Sequence, residues 1–526
     1  MLWPESIGFP LLTTMTLIPV AAIATIRYLS SPGLAMRFAY LATLINILLS
    51  LCLLFGFDDN NTGIQFAERM SLFGLSYSVG VDGLNILFIP LICFLSFLVL
   101  VYISATQAAV NTKQIAGILG YETILIAAFC ALNLMQFWLL TAMEMALVFT
   151  ITTYSAGLNP TALSQKKRHL VIRLVQFFGA SLLMTLCGFL LLAFGLVGSE
   201  HDLTFDLLTL KNNADYLHDE TLIFILLFYG FAIRMPLFPF HGWLPLLIEQ
   251  GGLTSITVFI VGLKLGVYAM IRFIFPLVPG VAEEWAGFVL LLCFFSIFYG
   301  ALLAFMQNNI YRLLAFATIS HTGMLGFGLF SFNEHGLEGT LLLSLVYGLA
   351  SAGMLLSISL IYLQTKTVLI PRLGNLFDSH TTLALLFLIT ALSTMIMPGS
   401  LGFDAGHLLL EGVIEEHEWG VSVAILVGHV LAAGFLLWAF QRVFLANSNR
   451  YKPYTTNNQT LTQERLIAFV ICTLHIGTGL NSMPLLNLID KDAIETVSHY
   501  PVHGSLQHDT EVPIDLDTTD DKSPAK

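Results

Sequence analysis

The chain has 526 residues, 56% of them hydrophobic and 11% charged, whereas an average soluble protein is about 25% charged. That excludes an ordinary soluble enzyme. The net charge of −12, with no basic surface to meet phosphates, excludes a nucleic-acid binder.

Length alone suggests three or four domains, but apolar runs near 20 residues recur almost from end to end, as one continuous multi-pass membrane domain requires. The runs start near residues 7, 34, 84, 115, 136, 173, 221, 254, 285, 312, 337, 383, 420 and 464. The expected fold is therefore an all-α polytopic membrane protein of about fourteen spans. The first run follows Glu5 rather than a basic region and reads as a retained helix, not a cleaved signal. All six cysteines, Cys52, Cys93, Cys130, Cys187, Cys293 and Cys472, sit singly in apolar segments. Without a CxxC pair, a GxGxxG turn or a Walker loop, no cofactor is expected on this chain.

Loop charge tests the count, because positive residues concentrate on the cytoplasmic side. With the first terminus outside, 14 of the 22 Lys and Arg residues fall inside and five outside, while Arg234, Lys264 and Arg272 lie within or at the edge of apolar segments. Both termini are thus expected on the outer, periplasmic side. Carboxylates gather in the outer loops, at Asp58 and Asp59, between Glu200 and Glu220, and at Glu415, Glu416 and Glu418. From about residue 487 the chain turns polar, with His499, His503 and His508 ahead of six carboxylates, and a solvated, disordered tail is expected.

Ionisable groups at the bilayer centre cost roughly 2.5 to 3.5 kcal/mol each on insertion scales, so those inside spans are functional candidates. Glu144 lies eight residues into the fifth span, Arg234 in ILLFYGFAIRMPLFPFHGWLP and Lys264 in VFIVGLKLGVYAMIRF. Pro236, Pro239 and Pro245 follow Arg234, and no helix keeps its ladder through that spacing. A second break is expected at MPGSLGFDAGHLLLEG, where Pro398, Gly399 and Gly402 precede or flank Asp404 and His407. Broken helices at membrane depth line cavities, and a pair of them in separate halves is the pattern of a transporter built from repeats. His241, His321, Tyr347 and His429 add possible steps for a proton, although a single His in a helix is as often a structural residue.

These residues resemble a family, the antiporter-like proton-translocating membrane subunits of respiratory complex I, shared with Mrp-type antiporters and membrane-bound hydrogenases, and the resemblance is nearest to its M-type members. YSVGVDGLNILFIPL, the MEM around Glu144, RMPLFPFHGWLP, VGLKLGVYAMIRF and NNIYRLLAFATISHTGML occur in the family's order across residues 75–445. The resemblance implies two inverted five-helix repeats, each with a broken helix, and gives the expected division 1–114 (N-terminal helices), 115–277 and 285–445 (repeats), 446–486 (C-terminal helix region) and 487–526 (tail). It implies a proton path through Glu144, Arg234, Lys264, His241 and His321, with Asp404 or His407 on the outer side. It also implies a subunit of an NADH:quinone oxidoreductase in a bacterial inner membrane, with NADH, flavin, iron–sulfur and quinone sites in partner subunits and protons or Na+ as cargo. An Mrp-type antiporter or an inorganic-carbon uptake complex is the alternative host.

Four departures qualify the resemblance. Arg234 stands where the family has lysine, and a guanidinium does not lose its proton in proteins. The family's PDAH after HGWLP is replaced here by Pro245 and LLIEQGG, and Tyr347 replaces a usual histidine. The twelfth-span acid or lysine is displaced, Gly406 lying nearest with Asp404 and His407 beside it.

Overall fold

A computed structural model describes residues 9–29, 31–72, 75–105, 112–154, 165–197, 203–214, 217, 219–250, 262–417, 419–446 and 462–498. The expected span start at 254 and the tail histidines lie outside these residues. The N-terminal part contains α1 (Leu11–Tyr28), α2 (Pro32–Gly56), a hairpin of β1 (Gln65–Leu72) and β2 (Leu75–Val81), α3 (Phe88–Ala105) and α4 (Thr112–Cys130). Pro32 opens α2 at the first helical position, where its missing N–H costs nothing. The expectation of an all-helical chain is corrected by the hairpin, which pairs antiparallel from Leu72 opposite Leu75 outward. Its segments are short and polar on alternate residues, so a search for long apolar runs passes over them.

The middle of the chain forms α5 (Leu134–Tyr154), α6 (Gln165–Val197), α7 (Leu207–Asn212), α8 (Glu220–Arg234), α9 (Leu244–Gln250) and α10 (Lys264–Ala269), which runs on as a π-turn through Met270–Ile274. Beyond them come α11 (Pro279–Glu284), α12 (Ala286–Phe305), α13 (Ile310–Leu329), α14 (Glu334–Thr365), α15 (Thr381–Thr394), α16 (Leu401–Glu416), α17 (Trp419–Phe440), α18 (Thr462–Leu480), α19 (Met483–Leu486) and α20 (Asp490–Val497). Asn309 and Asn333 cap α13 and α14 by accepting from the Tyr311 and Gly336 N–H groups, which satisfies donors the helix leaves open. Among the described residues, eight helices are long and apolar enough to cross a membrane. The broken segments supply none of the eight, because each break divides a span into pieces such as the 15 residues of α8 and the 14 of α15.

Both expected breaks are present. After Arg234 the chain leaves the helix for nine residues, and the freed Ile233 carbonyl accepts from Trp243 Nε1 at 3.0 Å. Buried backbone needs such partners. The second break spans Met395–Ser400, with Ile396 and Gly399 at φ of 58° and 86°. Gly402 then lets α16 lie against the Ser393 carbonyl, because a Cβ there would collide with that oxygen.

At the hairpin end of the bundle, α20 packs back onto the chain. Asp492 accepts from the backbone N–H groups of Gly63, at 2.9 Å, and Gly83. The structureless tail expected from residue 487 is corrected for 487–498, where α20 uses its carboxylate as an anchor. A bidentate pair lies beside it, Arg272 donating to Asp82 at 2.6 and 2.7 Å. Burial, with the Asp82 charge adding to it, pushes the Asp492 carboxyl up to about 6. Asp82, Arg272, Asp492, Lys211 and Glu495 line a cavity of about 300 Å³ there.

Candidate proton-binding site

Glu144 sits near the middle of α5 and is 1% exposed, and Arg234, the last residue of α8, is 4% exposed. The two form a buried ion pair between Nη2 and Oε2. Placing the arginine at the break matters, since the helix ends where its side chain must turn inward. The other carboxylate oxygen, Oε1, accepts from the Tyr121 hydroxyl of α4. Gly262, just before α10, closes the third side: a Cβ at this position would lie 2.5 Å from the Tyr121 hydroxyl and 2.7 Å from Glu144 Oε1.

Lys264 follows two residues later and is 3% exposed. Its Nζ lies 5.6 Å from the centre of the Tyr347 ring, within range of a cation–π attraction. His321 of α13 stacks on that same ring, centroids 4.3 Å apart and planes 13° from parallel. Tyr347 thus links an ammonium to an imidazole. Among the described residues, neither nitrogen of His321 has a hydrogen-bond partner, and Thr318, Ser351 and Ile248 border the narrow gap beside it. His429, on α17, is held by the Ile425 carbonyl at 3.0 Å through Nδ1, leaving Nε2 unpartnered.

The other expected site residues lie apart. His241 rests between the rings of Phe238 and Tyr299, at 5.7 and 5.0 Å. On α16, Asp404 is half-buried and His407 exposed, its ring parallel to Phe403 at 6.4 Å. Gly406, between them in sequence, is the buried position, pressed against Ile396. The structure therefore gathers Glu144, Arg234 and Tyr121 at one centre and Lys264, Tyr347 and His321 at a second. Tyr121 and Gly262 carried no signal in the sequence, one being an ordinary aromatic residue of an apolar span and the other a glycine among 41.

Chemically, the first centre is a carboxylate held by one fixed cation and one neutral donor. Such a pair is stable only with both members present, because a lone buried charge is strongly penalised. A proton reaching Glu144 neutralises it and releases Arg234. The guanidinium keeps its charge throughout.

An intramembrane ion pair set at a helix break defines a class, the broken-helix ion-translocating membrane proteins. Residues 131–432 match the family described as NADH:quinone oxidoreductase/Mrp antiporter, transmembrane, and the chain belongs to that family. It is 29% identical to NADH-quinone oxidoreductase subunit M of Rhodobacter capsulatus over 518 residues, covering 94% of this chain and 98% of that one. With the subunit M of Rickettsia typhi it shares 31% over 415 residues, 77% of this chain and 81% of the other. Its fold matches a chain of respiratory complex I from Thermus thermophilus at a TM-score of 0.82 and 24% identity, covering 93% and 99% of the two chains. A chain of the Mrp complex from Dietzia sp. DQ12-45-1b matches at 0.78 and 15% identity, covering 93% and 99%.

Proposed function

We propose that this chain is a proton-translocating membrane subunit of an NADH:quinone oxidoreductase complex. The observation that carries the reading is the Glu144–Arg234 pair, buried where a spanning helix breaks. Glu144 binds the proton, Arg234 sets its affinity by pairing with the carboxylate, and Lys264 with His321 forms the next station. His241 lines the approach, and Asp404 or His407 completes the outer path. The chain carries no redox centre; NADH, flavin, iron–sulfur and quinone belong to partner subunits. The family resemblance, with the fourteen apolar runs and the two breaks beside it, supports fourteen spans in two inverted five-helix repeats, 115–277 and 285–445. The repeats are flanked by N-terminal helices over 1–114, a helix region over 446–486 and the stretch 487–526. The loop charges support both termini on the outer side, and the bacterial subunit M relatives support an inner membrane, where that side is periplasmic.

The test is Glu144→Gln in membrane vesicles. NADH-driven acidification, normalised to the amount of assembled complex because Arg234 loses its partner, falls to background; full pumping per complex in that variant overturns the reading. The likeness to an Mrp chain and the fixed charge of Arg234 favour a second reading, ion translocation in an antiporter or inorganic-carbon uptake complex. Proton movement that persists without any electron donor selects it.

A further inference from the structure

Glu144 is not the deepest carboxyl of the molecule. Glu122, the eleventh residue of the 19 in α4, is 0% exposed, and at 1.5 Å per residue it lies about 15 Å along the helix, near mid-bilayer. It faces away from Glu144 toward the N-terminal helices. Its Oε1 accepts from Asn46 Nδ2 of α2 at 2.9 Å, and the same amide donates to the Met15 carbonyl of α1 at 3.1 Å. Asn46 is itself 0% exposed. Both its protons are thereby used.

Two acceptor atoms at this junction have no hydrogen-bond partner among the described residues, Glu122 Oε2 and Asn46 Oδ1. The other buried acids nearby are better served. Glu144 pairs with Arg234 and Asp82 with Arg272, while Glu68 accepts from the Leu12 and Thr13 N–H groups at the start of α1. Glu122 has neither a cation nor a helix end. From α3 the titratable group toward it is the thiol of Cys93, fully buried and no source of positive charge; from α2, Ser50 spends its hydroxyl on Ile47 O.

A carboxylate at bilayer depth with one neutral donor is not sustained as a bare charge. Something small and positive must neutralise it, and the two unpartnered oxygens are the acceptors such a group would meet. We propose that Glu122 is a second ion-binding carboxyl of this chain, taking a proton or another small monovalent cation in the N-terminal bundle. The two sites are joined by α4, which sends Tyr121 to Glu144 and the next residue to the N-terminal bundle. The site rests on the reading of the chain as an ion translocator and extends it to helices outside the matched residues 131–432.

The test is infrared difference spectroscopy of the whole complex in lipid, comparing donor-driven turnover with rest. A carboxylic-acid C=O band that is present in the wild type and absent in Glu122→Gln is expected, and sodium that leaves it unchanged identifies the ligand as a proton. If sodium abolishes the band in the wild type, the ligand is the metal cation and the site stands. Glu122→Asp keeps a carboxyl and should shift the band rather than remove it, which separates loss of the group from loss of packing. Identical spectra for wild type and Glu122→Gln, with and without sodium, overturn the proposal. Glu144→Gln pumping reports on the main path alone, so either reading can fail without the other.

Discussion

Gly262 stands against Glu144 so closely that a single added carbon would lie 2.7 Å from the carboxylate. The glycine fixes how near α10 comes to the ion pair, and thereby where Lys264 is held. Overpacking of this kind costs about 1 to 3 kcal/mol. Gly262→Ala is expected to leave assembly largely intact on native gels and to slow proton movement about tenfold, the distance-sensitive step being lost first. Unchanged transport would show that the close approach has no bearing on the path.

The buried pair makes a sharper prediction about assembly. Arg234→Leu takes the cation from Glu144 and leaves it only the Tyr121 hydroxyl, so the carboxyl must take up a proton or stand as a bare buried charge, a loss of up to about 3 to 5 kcal/mol, and the amount of assembled chain should fall. Adding Glu144→Gln to that variant removes the stranded charge, so the double variant should recover most of the lost protein. Arg234→Lys keeps the charge and adds a group that can release a proton; quantitative blotting and vesicle acidification distinguish the three.

Tyr347 carries Lys264 on its ring and His321 stacked against it. Among the described residues its hydroxyl has one hydrogen-bond partner, the Met324 sulfur, at 3.3 Å. Tyr347→Phe should therefore transport like the wild type, whereas Tyr347→Leu removes about 0.5 to 2 kcal/mol of cation–π attraction and should reduce transport several-fold. Equal loss in both variants would assign the role to the hydroxyl instead of the ring.

The anchor of α20 responds to pH. The Asp492 carboxyl titrates at about 6 in place and at 3.8 when free, so the docked helix binds more protons than the released one between those values. Docking therefore weakens as pH rises from about 4 to about 6 and is steady above. Hydrogen exchange of the 490–497 amides, corrected for intrinsic rates, should show falling protection across that window. Asp492→Asn should flatten the trend and weaken the dock at every pH, because one amide oxygen cannot serve both glycine N–H groups as the carboxylate does.

The breaks, the ion pair and Lys264 were legible because charge and clustered prolines inside apolar runs are costly and so stand out. Glu122 did not stand out although it lies inside the run expected from residue 115: the helix from Thr112 brings it against Asn46 of α2, a contact that spacing along the chain does not encode. Tyr121 and Gly262 act by contact, which spacing does not encode. For Asp404 and His407, proximity to the second break in sequence gives their place on the outer path but not how far each is buried. The helix that starts at Leu401 turns them outward and Gly406 inward, and only the phase of that helix decides it.

The bond from Gly63 to Asp492 joins residues 429 positions apart. A chain emerging from the ribosome has its hairpin long before its last helix, so the buried Gly83 N–H waits without an acceptor until nearly all of the protein has been made and inserted. Closure of that end therefore cannot precede the synthesis of α20, and a chain cut short before residue 492 would carry an unlatched hairpin.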